Sequence, residues 1–155
     1  MTLVVRNMRA DELEACAALY ERVVRDTFTW LDVGDPAEGF RIAAHEEQVF
    51  VAVESGRILG LAALYWPEDF LHSLYVDLGC QGRGVGLALL HHVDEAAQDP
   101  ISLKVQVLNF RARRFYAREG FGVVEVGGEP WPSNDRWLKL ARWAEPGAPS
   151  PDPVF

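Results

Sequence analysis

A glycine-rich segment between an apolar stretch and a helical pattern places the strongest constraint on this chain. The segment is Gln81-Gly82-Arg83-Gly84-Val85-Gly86; it follows the apolar residues 70–76, and the helical pattern begins at Leu87. Glycines let a backbone turn tightly and approach a ligand, and the first N–H groups of a helix attract negative charge. The order of strand, glycine turn and helix therefore predicts an anion site, with a diphosphate as the expected ligand.

The spacing of the glycines excludes two other phosphate-binding loops. A Walker loop needs Lys followed by Ser or Thr after its last glycine, and neither Gly84 nor Gly86 is followed by that pair. A dinucleotide-binding loop that starts at Gly82 would need its third glycine at position 87, where Leu87 stands. The pattern that remains is Gln-x-x-Gly-x-Gly, with the glutamine at Gln81.

A second segment, which follows an alternating strand pattern, has the form of a short capped helix. It starts at Asn109, a good helix N-cap, and ends at Gly120, which suits the left-handed position after a helix. Within it Ala112, Phe115 and Tyr116 stand at i, i+3 and i+4, so they share one helix face. The sequence therefore predicts a helix with one face of small and aromatic residues.

Both segments resemble the signatures of the GNAT superfamily of N-acetyltransferases, in that superfamily's order and at its spacing. The first resembles its acetyl-CoA pyrophosphate loop, and the second resembles its Asn, Ala, Phe-Tyr and closing Gly-Phe pattern. The resemblance implies the GNAT fold, of class α/β (α+β): a mixed central sheet of about seven strands, splayed in the middle and flanked by about four helices. The specific motifs lie within residues 81–121, and residues 1–65 match in element order alone.

The resemblance also implies where acetyl-CoA binds. Backbone groups near Leu74, Tyr75 and Val76 are expected to pair with the pantetheine arm in the manner of an added strand. The other residues expected to bind the co-substrate are Gln81, Gly82, Arg83, Gly84, Val85, Gly86, Leu87, Asn109, Ala112 and Phe115. No metal is implied. Two positions depart from the family pattern: Leu78 stands where relatives commonly have proline, and Cys80 where an aromatic often stands.

The implied reaction is direct attack of a neutral primary amine on the acetyl-CoA thioester. The amine must lose a proton, the oxyanion needs an N–H donor from around Tyr75, and the departing thiolate needs a proton. Tyr116 stands where the family's general acid usually stands; a core tyrosine is the alternative interpretation. His72 is the candidate general base because histidine titrates near neutral pH, and strand alternation places it on the face of Leu74 and Val76.

The sequence says less about the general base and the acceptor amine than about the site for acetyl-CoA. A buried histidine bonded to the backbone is the alternative for His72, and Glu68, Asp69 and Asp77 are the other candidate bases. Four aromatic residues are the candidate walls of the acceptor pocket, with packing at the edge of the core as the alternative: Phe28, Trp30, Trp66 and Trp131. Aromatics and carboxylates suit a cationic amine, whereas three arginines would favour an acceptor with a carboxylate: Arg22, Arg25 and Arg41. A metabolite, a peptide N-terminus and a protein lysine all remain open.

Composition agrees with one globular domain. The 155 residues are 49% hydrophobic, so we expect a single domain over residues 1–145 and a proline-rich tail over 146–155. The net charge of −8 argues against a general nucleic-acid binder. No apolar run approaches the roughly 18 residues of a membrane span, and no basic-then-apolar leader opens the chain, so no membrane association and a cytoplasmic location are expected.

Two rival functions stay open at this point. A domain of the same fold could bind acyl-CoA as a non-catalytic sensor or interaction module. The chain could also be a homodimer subunit that packs its tail and Trp143 on a partner. Asn109 and Tyr116 favour the enzyme, because a binding module has no need of a placed phenol.

Overall fold

The computed structural model of this chain describes residues 2–129 and 134–142. Its α-helices are α1 (Leu13–Thr27), α2 (Pro36–Ala43), α3 (Val85–Ala96) and α4 (Phe110–Arg118). Its strands are β1 (Val4–Asn7), β2 (Gln48–Glu54), β3 (Arg57–Tyr65), β4 (Phe70–Val76), β5 (Ser102–Gln106), β6 (Phe121–Glu129) and β7 (Asp135–Arg142). Trp131, Trp143 and the predicted tail lie outside the described residues. The chain divides into two compact units, residues 1–99 and 100–155, which are taken in turn.

The first unit is built on four antiparallel strands in the order β1-β2-β3-β4. The dipeptide Ser55-Gly56 between two apolar runs predicts a hairpin. A hairpin there joins β2 to β3, and both turn residues have positive φ. Helices α1 and α2 cover one face, where apolar residues of both helices meet the inward side chains of β2 and β3. This core holds Cys16, which is fully buried, and Cys80 is a second buried free thiol.

Helix α3 packs against β2, β3 and β4. Gly60 of β3 allows this packing, because a Cβ there would lie 2.9 Å from the Tyr75 carbonyl oxygen, 3.0 Å from Leu89 and 3.1 Å from Val85. Real Cβ atoms do not approach backbone oxygen so closely. A side chain at position 60 would therefore push on β4 and on the first turn of α3 together.

The spacing of Asp11 and Glu14 predicts a capping box at the start of the first helix, and this prediction is wrong. A 3₁₀ turn at Ala10–Glu12 precedes α1, and Oε1 of Glu12 accepts the backbone N–H of Arg9 at 2.8 Å. Arg6 of β1 also donates to Glu12, at 2.8 and 2.9 Å. The hydrogen bonds from Arg6 and then Arg9 lower the pKa of Glu12 to about 2. The start of this helix is set by a strand residue, which local spacing does not show.

The second unit contains three antiparallel strands in the order β5-β7-β6, together with α4. Oδ1 of Asn109 accepts the N–H of Ala112 at 3.3 Å, and Gly120 has a φ of 88° just beyond the helix. Both predictions for the ends of this helix are confirmed. None of the described helices is long and apolar enough to cross a lipid bilayer.

Candidate functional site

The glycine loop between β4 and α3 has the conformation that its sequence predicts. Gly82 and Gly84 have φ values of 78° and 82°, in the left-handed region that favours glycine. A Cβ at either position would meet nothing within 4 Å, and residues 82–84 are exposed. The glycines are therefore required by the backbone turn and leave the surface of the loop open.

The start of α3 differs from the starts of α2 and α4. Asp35 caps α2 by accepting the N–H of Glu38 at 3.1 Å, and Asn109 caps α4 in the same way. Helix α3 begins after Gly84, which has no side chain to cap it, and its first turn carries no acidic residue. The first N–H groups of a helix have no partner within it, so this end can accept an anion.

The glycine loop is tied to the sheet at both sides. Nε2 of Gln81 donates to the Val76 carbonyl at 3.4 Å, which links the loop to the end of β4. Nη2 of Arg83 donates to Oε1 of Glu54 in β2 at 3.0 Å. The sequence predicts Arg83 as a contact for the co-substrate but gives no sign of Glu54. An anion at the loop would therefore compete with Glu54 for this arginine.

Asp77 at the end of β4 is held by several donors. Arg22 donates to both of its oxygens at 3.0 and 3.3 Å, Arg57 lies at 3.7 Å, and the Leu78 N–H donates at 2.9 Å. Burial favours the neutral acid, but the bonds from Arg22 and Leu78 outweigh it and lower the pKa of Asp77. This carboxylate is a structural anchor and a poor general base. A proline at position 78 could not make the Leu78 bond.

Asp69, another candidate base, has a structural contact as well. Its two oxygens accept the backbone N–H groups of Gln98 and Asp99 at 3.1 and 3.2 Å. Within residues 2–129 and 134–142, no group of three His, Cys, Asp or Glu side chains is arranged to hold a metal ion.

His72 occupies an irregular position in β4. Ser73 pairs with Ala63 and Leu71 pairs with Leu64, so His72 is an extra residue on its strand, a β-bulge. Strand alternation does not hold across a bulge. The face predicted for His72 from alternation therefore stays a prediction, and the sequence carries no mark of the bulge.

The partner of His72 is a carboxylate, Glu47, which lies just before β2. Nδ1 of His72 donates to Oε1 of Glu47 at 3.0 Å. The Glu47 side chain is 5% exposed, whereas that of His72 is 49% exposed. The hydrogen bond to Glu47 raises the pKa of His72, although desolvation opposes it. The alternative prediction, a buried histidine bonded to the backbone, does not describe this residue.

One aromatic residue of α1, Tyr20, lies near enough to Glu47 to feel its charge. The Tyr20 ring lies 5.3 Å from the rings of Phe40 and Tyr75, edge-on to the latter. The Tyr20 hydroxyl is hydrogen-bonded to the Ser73 side chain, and its pKa is raised, chiefly by burial and further by the charge of Glu47. Sequence reasoning missed Tyr20 and Glu47, because neither belongs to a motif.

Tyr116 lies on α4 in the second unit and is 7% exposed. Its ring contacts those of Phe115 and Phe121 edge-on, with centroids 5.1 and 5.4 Å away. Burial raises the pKa of its hydroxyl well above the usual range. The phenol is therefore protonated at neutral pH.

The residues predicted to contact the acceptor are placed differently from one another. Phe28 and Trp30 contact each other with ring centroids 5.5 Å apart, and Trp66 is 60% exposed. Trp131 lies outside the described residues. The three arginines suggested for an acceptor carboxylate are each paired with an acid of the chain: Arg22 with Asp77, Arg25 with Glu21, and Arg41 with Glu14 and Glu38. These pairs argue against that interpretation.

Comparison with known proteins agrees with the motifs and the fold. The profile described as the acetyltransferase (GNAT) family matches residues 11–121. An uncharacterised N-acetyltransferase of Methanocaldococcus jannaschii is 30% identical over 126 residues, which cover 77% of this chain and 78% of that protein.

Solved structures show the same architecture. The solution structure of apo YjaB from Escherichia coli has a TM-score of 0.73 at 25% identity, covering 91% of this chain and 97% of that one. The PaiA N-acetyltransferase of Thermoplasma acidophilum, crystallised in complex with coenzyme A, has a TM-score of 0.72 at 16% identity, covering 90% and 98%. The predicted GNAT fold is confirmed, with seven strands and four helices among the described residues.

Proposed function

The chain belongs to the acetyltransferase (GNAT) family and is thus an acyltransferase, and from that premise we propose that it moves an acetyl group from acetyl-CoA to a primary amine. The observation that carries the proposal is the open glycine loop, which leads into a helix start with no side-chain cap. Its exposed backbone and positive helix end suit a diphosphate. Acetyl-CoA supplies an acetyl group activated as a thioester, which a neutral amine attacks directly.

The residues proposed to hold acetyl-CoA are those of the two family motifs and the end of β4. Gln81 to Leu87 offer backbone N–H groups to the diphosphate, and Arg83 joins them when it leaves Glu54. Leu74 to Val76 offer backbone groups to the pantetheine arm, and an N–H of Tyr75 or Val76 stabilises charge on the carbonyl oxygen. Asn109, Ala112 and Phe115 are assigned to this role by the motif that they match.

Tyr116 is the proposed general acid for the departing thiolate. The support is its place in the second motif and its burial, which keeps the hydroxyl protonated. We expect Tyr116→Phe to lower kcat about a hundredfold and to leave KM for acetyl-CoA nearly unchanged. A Tyr116→Phe enzyme with the kcat of the wild type across pH would remove this role.

Calorimetric titration with acetyl-CoA, followed by CoA release over a panel of amines, tests the function itself. The panel contains 1,4-diaminobutane, phenethylamine, N-acetyl-lysine amide and a peptide with a free N-terminal alanine. Binding with CoA release supports the transferase and identifies its acceptor class. Binding without release would favour the non-catalytic sensor. Absence of binding would overturn the role of the loop.

Two glycines provide a matched test of the loop. Gly84 and Gly56 have φ values of 82° and 75°, and a Cβ at either would meet nothing within 4 Å. Alanine at either position therefore carries a similar backbone strain, roughly 1 kcal/mol. We expect Gly84→Ala alone to weaken acetyl-CoA binding, about tenfold or more, because it disturbs the turn at the diphosphate. Equal affinities in the two variants would contradict the assignment.

The acceptor amine is the least determined part of the proposal. The aromatic residues Phe28, Trp30 and Trp66 support an amine with an apolar body, and the amine panel decides among the classes. A cytoplasmic location and a homodimer stay predictions from the sequence.

A further inference from the structure

Only one of the two carboxylate oxygens of Glu47 has a hydrogen-bond partner among the described residues. Its side chain is 5% exposed, and its Oε1 accepts the Nδ1 hydrogen of His72 at 3.0 Å. Its Oε2 is buried and has no hydrogen-bond partner among residues 2–129 and 134–142. An oxygen of a buried carboxylate without a donor is costly and rare in folded proteins. A ligand that brings an N–H group would supply the missing donor.

His72 is the extra residue of the bulge in β4. Bulges are frequent beside active sites, where they re-aim a side chain. Because Nδ1 donates its hydrogen to Glu47, Nε2 is the nitrogen left to accept a proton. The His72 side chain is half exposed, so a substrate can reach it. Glu47 and His72 therefore present an acceptor oxygen and a basic nitrogen within one pair of side chains.

We propose that this pair receives the acceptor amine: the buried Oε2 of Glu47 is uncovered on binding and holds the ammonium group, while Oε1 holds His72 so that its Nε2 removes one proton. One N–H bond of the ammonium breaks, and one N–H bond forms at Nε2. The neutral amine keeps the electron pair with which it attacks the thioester. This inference rests on the proposed acetyl transfer and adds Glu47 to it, as a binding and positioning residue for an amine that arrives protonated.

The groups around His72 determine how the pair responds to pH. The Glu47 carboxylate, on the approach to β2, raises the pKa of His72 by its hydrogen bond. Tyr20, from α1, is bonded to Ser73 next to His72 in the chain and stays protonated, since its own pKa is raised. Protonated His72 cannot take a proton, so activity is expected to rise as pH rises through the pKa of His72.

Titration of the His72 imidazole by ¹H–¹⁵N NMR tests the pair without any substrate. Glu47→Gln keeps the side-chain size and an oxygen for Nδ1 but removes the charge. Glu46→Gln removes the same charge at the adjacent exposed position and is the matched control. His72→Gln identifies the resonances. We expect a pKa above the usual 6.5 in the wild type and in Glu46→Gln, and a lower pKa in Glu47→Gln.

Kinetics with the best amine of the panel test the catalytic role. We expect Glu47→Gln to lower kcat/KM at pH 7 about tenfold or more. Its acid limb should move to lower pH by the displacement that NMR measures for His72. Glu46→Gln should show neither change. In the His72→Gln background, Glu47→Gln should no longer move the acid limb but should still raise KM for the amine, because Oε2 binds the ammonium independently of His72.

Each contrary result has its own meaning. A wild-type His72 that titrates at or below 6.5 overturns the inference, and this measurement needs neither a Glu47 variant nor a substrate. Identical pH profiles for the wild type and Glu47→Gln overturn it too, while the acetyl transfer itself stands. A wild-type enzyme that releases no CoA with any amine overturns the proposed function and the inference together.

Discussion

Two carboxylates lie against opposite ends of β4 and differ in how many of their oxygens are used. Asp77, just beyond the end of the strand, accepts hydrogen bonds at both oxygens, from Arg22 and from the Leu78 N–H. Glu47, which contacts His72 near the start of the strand, accepts at one oxygen and leaves the other without a partner among the described residues. Burial is similar, with 8% and 5% of the two side chains exposed.

The comparison separates the charge of Asp77, which holds the fold, from the charge of Glu47, which is proposed to bind the substrate. At Asp77 the charge is compensated by the chain itself, so removing it leaves arginines and an N–H group without their acceptor. At Glu47 one oxygen has no donor among the described residues, so a ligand can supply a hydrogen bond there. We therefore expect substitutions at Asp77 to be expressed mainly as lost stability, and substitutions at Glu47 mainly as lost activity.

The largest effect is expected for Asp77→Asn. It removes the charge that holds Arg22 and Arg57, and we expect a loss of about 2–3 kcal/mol in the free energy of unfolding, as for hydrogen bonds to charged groups. Urea denaturation measures it. Glu47→Gln, which keeps its shape and one oxygen for His72, is the counterpart and should lose less than about 1 kcal/mol. Equal losses in the free energy of unfolding for the two variants would contradict the distinction between the two carboxylates.

Gly60→Ala tests the Asp77 end of β4 without changing a charge. The added Cβ would press on the Tyr75 carbonyl oxygen and on Val85 in the first turn of α3. We expect a loss of about 1–2 kcal/mol in stability from overpacking, together with weaker acetyl-CoA binding. The pKa of His72 should not change. A changed His72 titration would mean that the two ends of the strand are coupled.

The pH dependence of stability should have opposite signs at the two ends. The pKa of Asp77 is lowered, so its contribution is present above the usual value of 3.8 and is lost as pH falls through the folded value. The pKa of His72 is raised, so its contribution is full below 6.5 and is lost as pH rises through the folded value.

Unfolding of the wild type and of His72→Gln between pH 5 and 9 measures the second contribution. Because His72 is half exposed, we expect a difference below about 1 kcal/mol at acidic pH, which vanishes at alkaline pH. A difference that grows with pH would contradict the assigned direction of the pKa shift.

The smallest effect is expected for a surface pair, which sets the baseline for the others. Arg25 and Glu21 form an exposed pair one helical turn apart, at 3.0 Å. We expect Arg25→Gln to change stability by no more than about 0.5 kcal/mol, with no effect on acetyl-CoA binding. A loss as large as that of Asp77→Asn would show that charge removal alone, rather than burial, explains the latter.

The parts of the molecule that could be predicted from sequence are those determined by local signals. The glycines at 82 and 84 mark a turn, Gly120 marks a left-handed residue after a helix, Asn109 marks a helix start, and the apolar run 70–76 marks a strand; each is confirmed. These signals act within a few residues, so their spacing is readable without knowledge of the fold. The family motifs are made of such signals.

The parts that could not be predicted depend on contacts between residues distant in the chain. Arg22 and Asp77 are 55 positions apart, Arg83 and Glu54 are 29 apart, and His72 and Glu47 are 25 apart. No spacing rule links such residues. The bulge that carries His72 likewise arises from the pairing of β4 with β3 and leaves no mark in the alternation of β4 itself.

The burial of both cysteines has a practical consequence for measuring this enzyme. Thiol reagents attack the thiolate, and burial raises the pKa of the Cys16 thiol to about 12. Cys80, also buried, directly precedes the glycine loop. A chromogenic disulfide reagent should therefore measure released CoA with little background reaction from the thiols of the protein. Any slow reaction of Cys80 with the reagent would report the rate at which the loop opens, and bound acetyl-CoA should lower that rate.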